Sequence, residues 1–203
     1  MKSLSEIETV SKRSSRAAGF SWGVAEEVGK NIRTLEMFGL AGIKNLNYYF
    51  RTKSKKKFEN LTLISNENKT TKLDFCPIIT GLNFLDQVRS LENLKLIKFK
   101  KVAFPLLFLP FISRASEVIG KKIQLQIDNR IFLLNYNNSI YSNYLNEEVI
   151  EIGDNILIEF KDNKDHFQEN EWKELYRLSE NTFVEESDSL KQGGAGAGLT
   201  DND

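Results

Sequence analysis

The sequence predicts an α+β fold, in which N-terminal helices pack on an antiparallel β-meander and a C-terminal helix precedes a glycine-rich tail. Three observations support this prediction. Apolar residues recur at helical spacing through residues 4–52, alternate with polar residues through 122–160, and return to helical spacing through 168–180. Helices first, strands next and a helix last is the order typical of an α+β domain.

The N-terminal part predicts three helices. Leu4, Ile7 and Val10 mark the first, and the small residues of "SSRAA" in its second half favour close approach to another backbone. Ser21 is placed to cap a second helix, because its hydroxyl can accept a hydrogen bond from an N–H group one turn later. Gly39 is placed to end that helix. The string "IKNLNYYFR" predicts a third.

The middle of the chain predicts strands around one buried helix. The strings "ENLTLIS" and "TKLDF" flank the polar loop "NENKT", which suggests a β-hairpin. Pro77 and Gly81 indicate a loop that leads into a short helix, and "KLIKFKKVAF" alternates as a strand. The string "PLLFLPFISRASEVIG" predicts a buried helix that ends at Gly120, with Pro105 in its first turn or with a later start forced by Pro110.

Residues 122–160 predict the meander. The string "KIQLQID" turns at Asp128-Asn129 into "RIFLLNY", and a polar loop follows through "NNSIYSNYLNEE". The strings "EVIEI" and "NILIEF" then predict two strands joined by Gly153-Asp154. We expect one domain over residues 1–192 and a tail at 193–203, the domain comprising a helical part (1–52), a mainly β part (53–165) and a C-terminal helix (166–186).

Composition and charge narrow the class of protein. The 203 residues suffice for one packed domain, and 28 basic side chains balance 28 acidic ones. A net charge of zero argues against a nucleic-acid binder, which usually has a basic excess. Cys76 is the only cysteine, which indicates a reducing compartment. The N-terminus has no continuous apolar stretch and "VAFPLLFLPFI" is too short to span a bilayer, so we expect a cytoplasmic protein without a membrane partner.

Several common chemistries lack the residues they need. One histidine, His166, and one cysteine cannot form a zinc cluster. Neither a P-loop nor a GxGxxG fingerprint after a strand occurs, and the tail string "GGAGAG" lacks the strand and helix that would frame a phosphate. We therefore expect no metal and no cofactor.

The stretch "SWGVAEEVGK" predicts a small-anion site. Ser21, Trp22 and Gly23 would place free N–H groups at the start of a helix, where anions bind. Glu26 and Lys30 are four residues apart and are oriented to pair on the surface. The competing interpretation is a capped helix with Trp22 as a packing anchor.

Cys76 and a lysine run are the other candidates. Cys76 precedes a predicted helix, a position that lowers the pKa of a thiol, and a Cys76–His166 nucleophilic pair is one hypothesis. Its apolar neighbours favour a buried, inert thiol instead. The run "KSKKKF" is either part of a basic patch or a solubilising surface, together with Lys98, Lys100 and Lys101.

The tail "KQGGAGAGLTDND" has three interpretations. Glycine costs most to order, so a disordered terminus is the first. The second is a docking arm, in which Gly196 and Gly198 let the backbone pack flat and Leu199 fills a pocket. The third is a cation site formed by Asp201 and Asp203, which needs further ligands from elsewhere.

Four strings carry a resemblance to a known family: "SEIETVSKRSSRAAGFSWGVAEEVGK", "CPIITG", "PLLFLPF" and "GAGAGLTDND". They resemble the bacterial "domain of unknown function 3726" proteins over most of the chain, and "AAGFSWGVAEEVGK" and the tail are the most specific parts. The family has no established activity, cofactor or catalytic residue. The resemblance implies a bacterial origin and a single domain, and it favours the docking arm.

We expect an accessory or small-anion-binding protein associated with a metabolic enzyme, with a protein partner or a homo-oligomer as its assembly. The alternative is a small enzyme that acts on a polar carboxylate-type metabolite through Glu26, Lys30 or Cys76. Nucleic-acid binding through Lys53–Lys57 is the third hypothesis, which the charge balance disfavours.

Overall fold

Helices occupy the N-terminal part of the chain, as predicted. The computed structural model describes residues 2–70, 72–144 and 149–183, and the chain divides into two compact units, Met1–Asn163 and Lys164–Asp203. The α-helices of the first unit are α1 (Leu4–Ala17), α2 (Trp22–Met37), α3 (Gly42–Lys53), α4 (Pro77–Leu91) and α5 (Leu109–Ile119). In the second unit the described residues contain α6 (Glu169–Glu180).

One mixed sheet completes the first unit. Its strands are β1 (Glu67–Asn68), β2 (Leu96–Ala103), β3 (Ile123–Ile127), β4 (Arg130–Asn135), β5 (Ser139–Ser142) and β6 (Ile152–Phe160). Their spatial order is β1-β2-β6-β3-β4-β5, and β1 runs parallel to β2 while the other pairs are antiparallel. The α+β class is confirmed. The antiparallel meander is confirmed for β3, β4 and β5, but its predicted continuation into β6 is wrong, because β6 returns to lie between β2 and β3.

The Gly153-Asp154 turn is also wrong, because both residues belong to the single strand β6. Gly153 pairs with Val102 of β2, and later residues of β6 pair with β2 and β3 on either side. A Cβ atom on Gly153 would lie 3.2 Å from side-chain atoms of Ile156 and Pro105. The glycine therefore permits close packing here and does not mark a change of chain direction.

Two predicted loops contain strands. β1 lies within "NENKT", and the described residues of the flanking strings contribute isolated parallel bridges, between Glu59 and Phe75 and between Phe75 and Val102. The buried Asn68 side chain fixes β1 by donating hydrogen bonds to the carbonyls of Ser65 and Lys98, at 2.7 and 3.1 Å. β5 likewise lies in the polar stretch after β4. Polar composition concealed both strands, because each is short and lies at an edge of the sheet.

The termini of the helices follow their local sequence signals. The Val24 N–H donates to Ser21 Oγ at 3.4 Å, so Ser21 caps α2 as predicted, and Gly39 ends that helix with a φ of 72°. α5 starts at Leu109 and places Pro110 in its first turn, after a short 3₁₀ turn at Pro105–Leu107. The predicted loop at Pro77 and Gly81 is wrong, because α4 begins at Pro77 and Gly81 lies inside it.

Small residues bring α1 and α2 together. Ser11 and Ser15 of α1 are buried, and a Cβ atom on Gly29 of α2 would lie only 2.8 Å from the carbonyl oxygen of Glu8. The tight contact at Gly29 lies at Glu8 and Lys12 rather than in the "SSRAA" part of α1, where the sequence predicted it.

Aromatic side chains join the helices to the inner face of the sheet. Phe84 of α4 lies 6.4 Å from Phe160 of β6, ring centroid to ring centroid, and 6.1 Å from Phe108. Phe108 in turn lies 5.4 Å from Phe99 of β2. The buried Ile156 and Ile158 of β6 lie in the same core, which fixes the sheet beneath α4 and α5.

Candidate functional site

Two predicted residues that are 55 positions apart, Ser21 and Cys76, line the same cleft in the first unit. The cleft has a volume of 490 Å³ and is also lined by Lys53, Lys56 and Lys57. Since Ser21 and Cys76 are the residues that precede α2 and α4, the starts of two helices meet at this cleft. The first N–H groups of a helix have no acceptor within the helix, and they carry its positive dipole end.

The start of α4 is held by backbone hydrogen bonds. The Cys76 N–H donates to the Glu59 carbonyl at 2.8 Å, and the Cys76 carbonyl accepts from the Thr80 N–H at 3.0 Å. Pro77 occupies the first turn, where its missing N–H costs no hydrogen bond. The Cys76 side chain makes no cap hydrogen bond to α4, in contrast to Ser21 at α2.

The Cys76 thiol lies on the floor of the cleft and is neutral. Its side chain is buried, and its Sγ lies 3.2 Å from the hydroxyl of Tyr49 on α3. Burial raises the pKa of the Cys76 thiol, although the N–H groups of Ile79 and Ile78 and the Tyr49 hydroxyl favour the thiolate. The loss of hydration raises the pKa of the Cys76 thiol more than the N-terminus of α4 lowers it, so the predicted lowering of this pKa is wrong.

The three lysines of the cleft differ in their partners. Lys53 Nζ donates to the Ala18 carbonyl at 2.9 Å and lies 5.1 Å from the centre of the Phe20 ring. Lys56 forms an ion pair with Asp74. Lys57 is exposed and has no ion pair or hydrogen bond with any residue that the structure describes. A neutral carbonyl does not offset a charge, so Lys53 and Lys57 leave the cleft positive.

The wall of the cleft is apolar. The rings of Phe20, Tyr49 and Phe58 form a row, with centroids 6.4 Å apart for Phe20 and Tyr49 and 5.3 Å apart for Tyr49 and Phe58. Their planes are inclined by only 23° and 17°. Val24 and Ile79, both half-buried, extend this wall. No acidic side chain lines the cleft in the described part of the chain.

The other predicted residues of α2 do not line the cleft. Trp22 is 58% exposed, with the Arg16 guanidinium 5.5 Å from its ring centre, so it does not anchor the core. Gly23 has no neighbour within 4 Å of a Cβ position. Glu26 and Lys30 form the predicted surface pair, with Nζ and Oε1 3.4 Å apart.

Glu27, beside that pair, joins α2 to α5. Its carboxylate accepts from the guanidinium of Arg114 and from Lys30 Nζ, the latter at 3.1 Å. Burial raises the pKa of Glu27, but the hydrogen bonds and charges of Arg114 and Lys30 outweigh burial and hold the pKa below its ordinary value. Because the Glu27 carboxylate pairs with Arg114 of α5, we interpret Glu27 as a residue that stabilises the packing of α2 on α5.

The tail residues and His166 are the remaining candidate site residues. The tail residues Gly196, Gly198, Leu199, Asp201 and Asp203 lie outside the described residues. His166 belongs to the second unit and Cys76 to the first. Within residues 2–70, 72–144 and 149–183, no group of three or more His, Cys, Asp or Glu side chains is placed to hold a metal ion. Among the same residues, no helix has the length and apolar character needed to cross a membrane.

Lys53, Lys56 and Lys57 belong to the run that was predicted to be either part of a basic patch or a solubilising surface, and their place beside Ser21 and Cys76 was not predicted. A signal was present, because Lys53 follows Tyr49 by four residues and therefore shares its face of α3. A lysine four residues after a buried aromatic residue of a helix lies on the same face, so Lys53 is expected to line the same cleft as Tyr49.

Comparison with known proteins gives a family match for the N-terminal part. Residues 2–76 match the family described as "Protein of unknown function (DUF3726)". The predicted resemblance to this family is thereby confirmed for residues 2–76, a segment that extends from α1 to Cys76. The strings "PLLFLPF" and "GAGAGLTDND", on which the predicted resemblance also depended, lie outside the matched segment. No curated protein and no solved structure matches the chain.

Proposed function

We propose that this protein binds a small anion in the cleft between the starts of α2 and α4. One observation carries the proposal: two helix N-termini and three lysines line a single concave site that has no acidic side chain in its described lining. Each component attracts negative charge, and together they act on the same volume.

The charges of the cleft favour a ligand with one or two negative charges. Asp74 already offsets Lys56, whereas Lys53 and Lys57 have no acidic partner among the described residues. A carboxylate or phosphate that enters the cleft would supply that partner. Lys53 is half-buried and Lys57 is exposed, so both lose less hydration on pairing than fully buried lysines would.

The side chains of the cleft support binding more than catalysis. The Cys76 thiol is protonated because burial raises its pKa, so it lacks the thiolate that attacks a substrate. Ser21 Oγ accepts the cap hydrogen bond of α2, and the alternative acid and base, Glu26 and Lys30, pair with each other away from the cleft. A binding protein of this kind fits an accessory role beside a metabolic enzyme.

Inorganic phosphate is the simplest probe of this proposal. We expect it to bind to the full chain in isothermal titration calorimetry at low ionic strength. The double variant Lys53→Met, Lys57→Met should weaken binding by about tenfold or more, since two charge-assisted contacts are removed. Lys173→Met, which removes one exposed charge from α6, is the control and should leave the affinity unchanged.

Two results would contradict the proposal. Equal phosphate affinities for the native chain and the Lys53/Lys57 double variant would place the binding elsewhere. A loss of affinity in the Lys173 control of about half that in the double variant would show that binding depends on net charge and not on the cleft. Retention of the native circular dichroism spectrum and melting temperature by each variant excludes unfolding as the cause.

A further inference from the structure

We infer that the ligand is an organic anion with an apolar body at least as large as a benzene ring, and that this body lies against Phe58, Val24 and Ile79. This inference rests on the anion-binding function proposed above and narrows its ligand class. It depends on the size of the cleft, on its apolar wall, and on the position of Lys53 beside that wall.

The cleft is too large for a simple anion. Its volume of 490 Å³ falls in the range of about 300–1,000 Å³ that is typical of sites for small organic molecules. Inorganic phosphate would contact the lysines and leave the rest of this space to water. A ligand that also fills the apolar part gains from each carbon atom that it removes from water.

The apolar wall is partly open to a ligand. Phe58, Val24 and Ile79 are only half-buried, whereas Tyr49 behind them is fully buried and holds the row of rings in place. Half-buried apolar side chains around a concave site are the surface that a bound molecule covers. An anion without an apolar body would leave this surface in water.

Lys53 marks the boundary between the two parts of the cleft. Its ammonium group lies 5.1 Å from the centre of the Phe20 ring and also donates to the Ala18 carbonyl. Its position therefore brings a positive charge next to the apolar wall. Asn60 lines the cleft as well and offers an amide for hydrogen bonding. An acidic group joined directly to an apolar ring or short acyl chain matches this arrangement.

Phenyl phosphate, inorganic phosphate and benzyl alcohol form a matched set of probes. In calorimetric titrations of the full chain, phenyl phosphate should bind about tenfold or more tightly than inorganic phosphate, because its ring covers the wall. Benzyl alcohol, which has the ring without the charge, should bind more weakly than phenyl phosphate by a similar factor.

Variants of the wall separate the ring contribution from the charge contribution. Phe58→Ala and Ile79→Ala should each remove most of the preference for phenyl phosphate while they retain the affinity for inorganic phosphate. The retained phosphate affinity shows in the same variant that the fold is intact. If one variant fails to fold, the other still tests the wall.

The outcomes distinguish this inference from the proposed function. Equal affinities for phenyl phosphate and inorganic phosphate, both lost in the Lys53/Lys57 double variant, would overturn the apolar-ligand inference and leave anion binding in place. Binding of neither phosphate would overturn both. Binding of benzyl alcohol as tight as that of phenyl phosphate would overturn the anionic character of the ligand.

Discussion

The Tyr49 hydroxyl lies 3.2 Å from the Cys76 sulfur, and this contact joins α3 to the start of α4 at the floor of the lysine-lined cleft. Burial raises the pKa of both groups above their ordinary values. Each is therefore neutral at physiological pH. The floor of the cleft thus presents no negative charge that would compete with an anion for the lysines.

Cys76 should react slowly with a thiol reagent in the folded protein. Its side chain is only 3% exposed and its pKa is raised by burial, so both access and the thiolate fraction are reduced. With Ellman's reagent at pH 8 we expect a rate about a hundredfold or more below that of the urea-unfolded chain. Comparable rates in the folded and unfolded protein would show that the thiol is accessible, and would restore Cys76 as a candidate nucleophile.

Glu27 should make stability depend on pH below its ordinary pKa of 4.5. Its pKa is lower in the folded state, so the unfolded chain binds the proton more readily. The contribution of Glu27 is therefore complete above pH 4.5 and is lost as pH falls through the lowered value. Glu27→Gln should reduce the free energy of unfolding by about 1–2 kcal/mol at pH 7, because Arg114 loses its carboxylate.

Urea titrations of the native chain and Glu27→Gln at several pH values measure this effect. The difference between the two proteins should shrink as pH falls from 6 towards 3. Glu174→Gln, an exposed change on α6, serves as the control. A difference that stays constant over this range would mean that the ionised Glu27 carboxylate does not contribute to stability.

Gly81 and Gly23 form a matched pair for a test of helix packing. A Cβ atom on Gly81 would lie 2.3 Å from a ring carbon of Phe111, so Gly81→Ala should force α4 and α5 apart and cost about 1–3 kcal/mol. Gly23 has open space around it, so Gly23→Ala should leave stability unchanged or raise it by up to about 1 kcal/mol. Urea unfolding followed by circular dichroism gives both values. Equal effects of the two changes would contradict the α4–α5 contact.

The ends of the helices could be predicted from this sequence where nearby residues determine them. Ser21, Gly39 and Gly120 set helix boundaries through groups a few residues away, and each does so in the structure. Gly153-Asp154 gave an equally local turn signal that was wrong. The pairing of β6 with strands on both sides determines its conformation, and that pairing joins residues far apart in the chain, 31 positions for Gln126↔Leu157 and 61 positions for Ile97↔Ile158.

The candidate site was predictable only in parts. Ser21 and Cys76 stood out separately, because each precedes a helix. Ser21 and Cys76 line the same cleft because α2, α3 and α4 pack together, and the spacing of residues in the sequence does not predict that packing. The lysine run concealed the difference between Lys53, Lys56 and Lys57, since their partners Ala18 and Asp74 are distant in sequence.

The central position of β6 has a consequence for biosynthesis. When the chain has emerged from the ribosome only through residue 151, β1 and β2 on one side and β3, β4 and β5 on the other lack the strand that joins them. The nascent chain thus exposes the edges of β2 and β3, which are the sites at which strands of other molecules can pair. Emergence of residues 152–160 closes both edges at once, so a delay in the emergence of this segment would prolong the exposure of these edges to strands of other molecules.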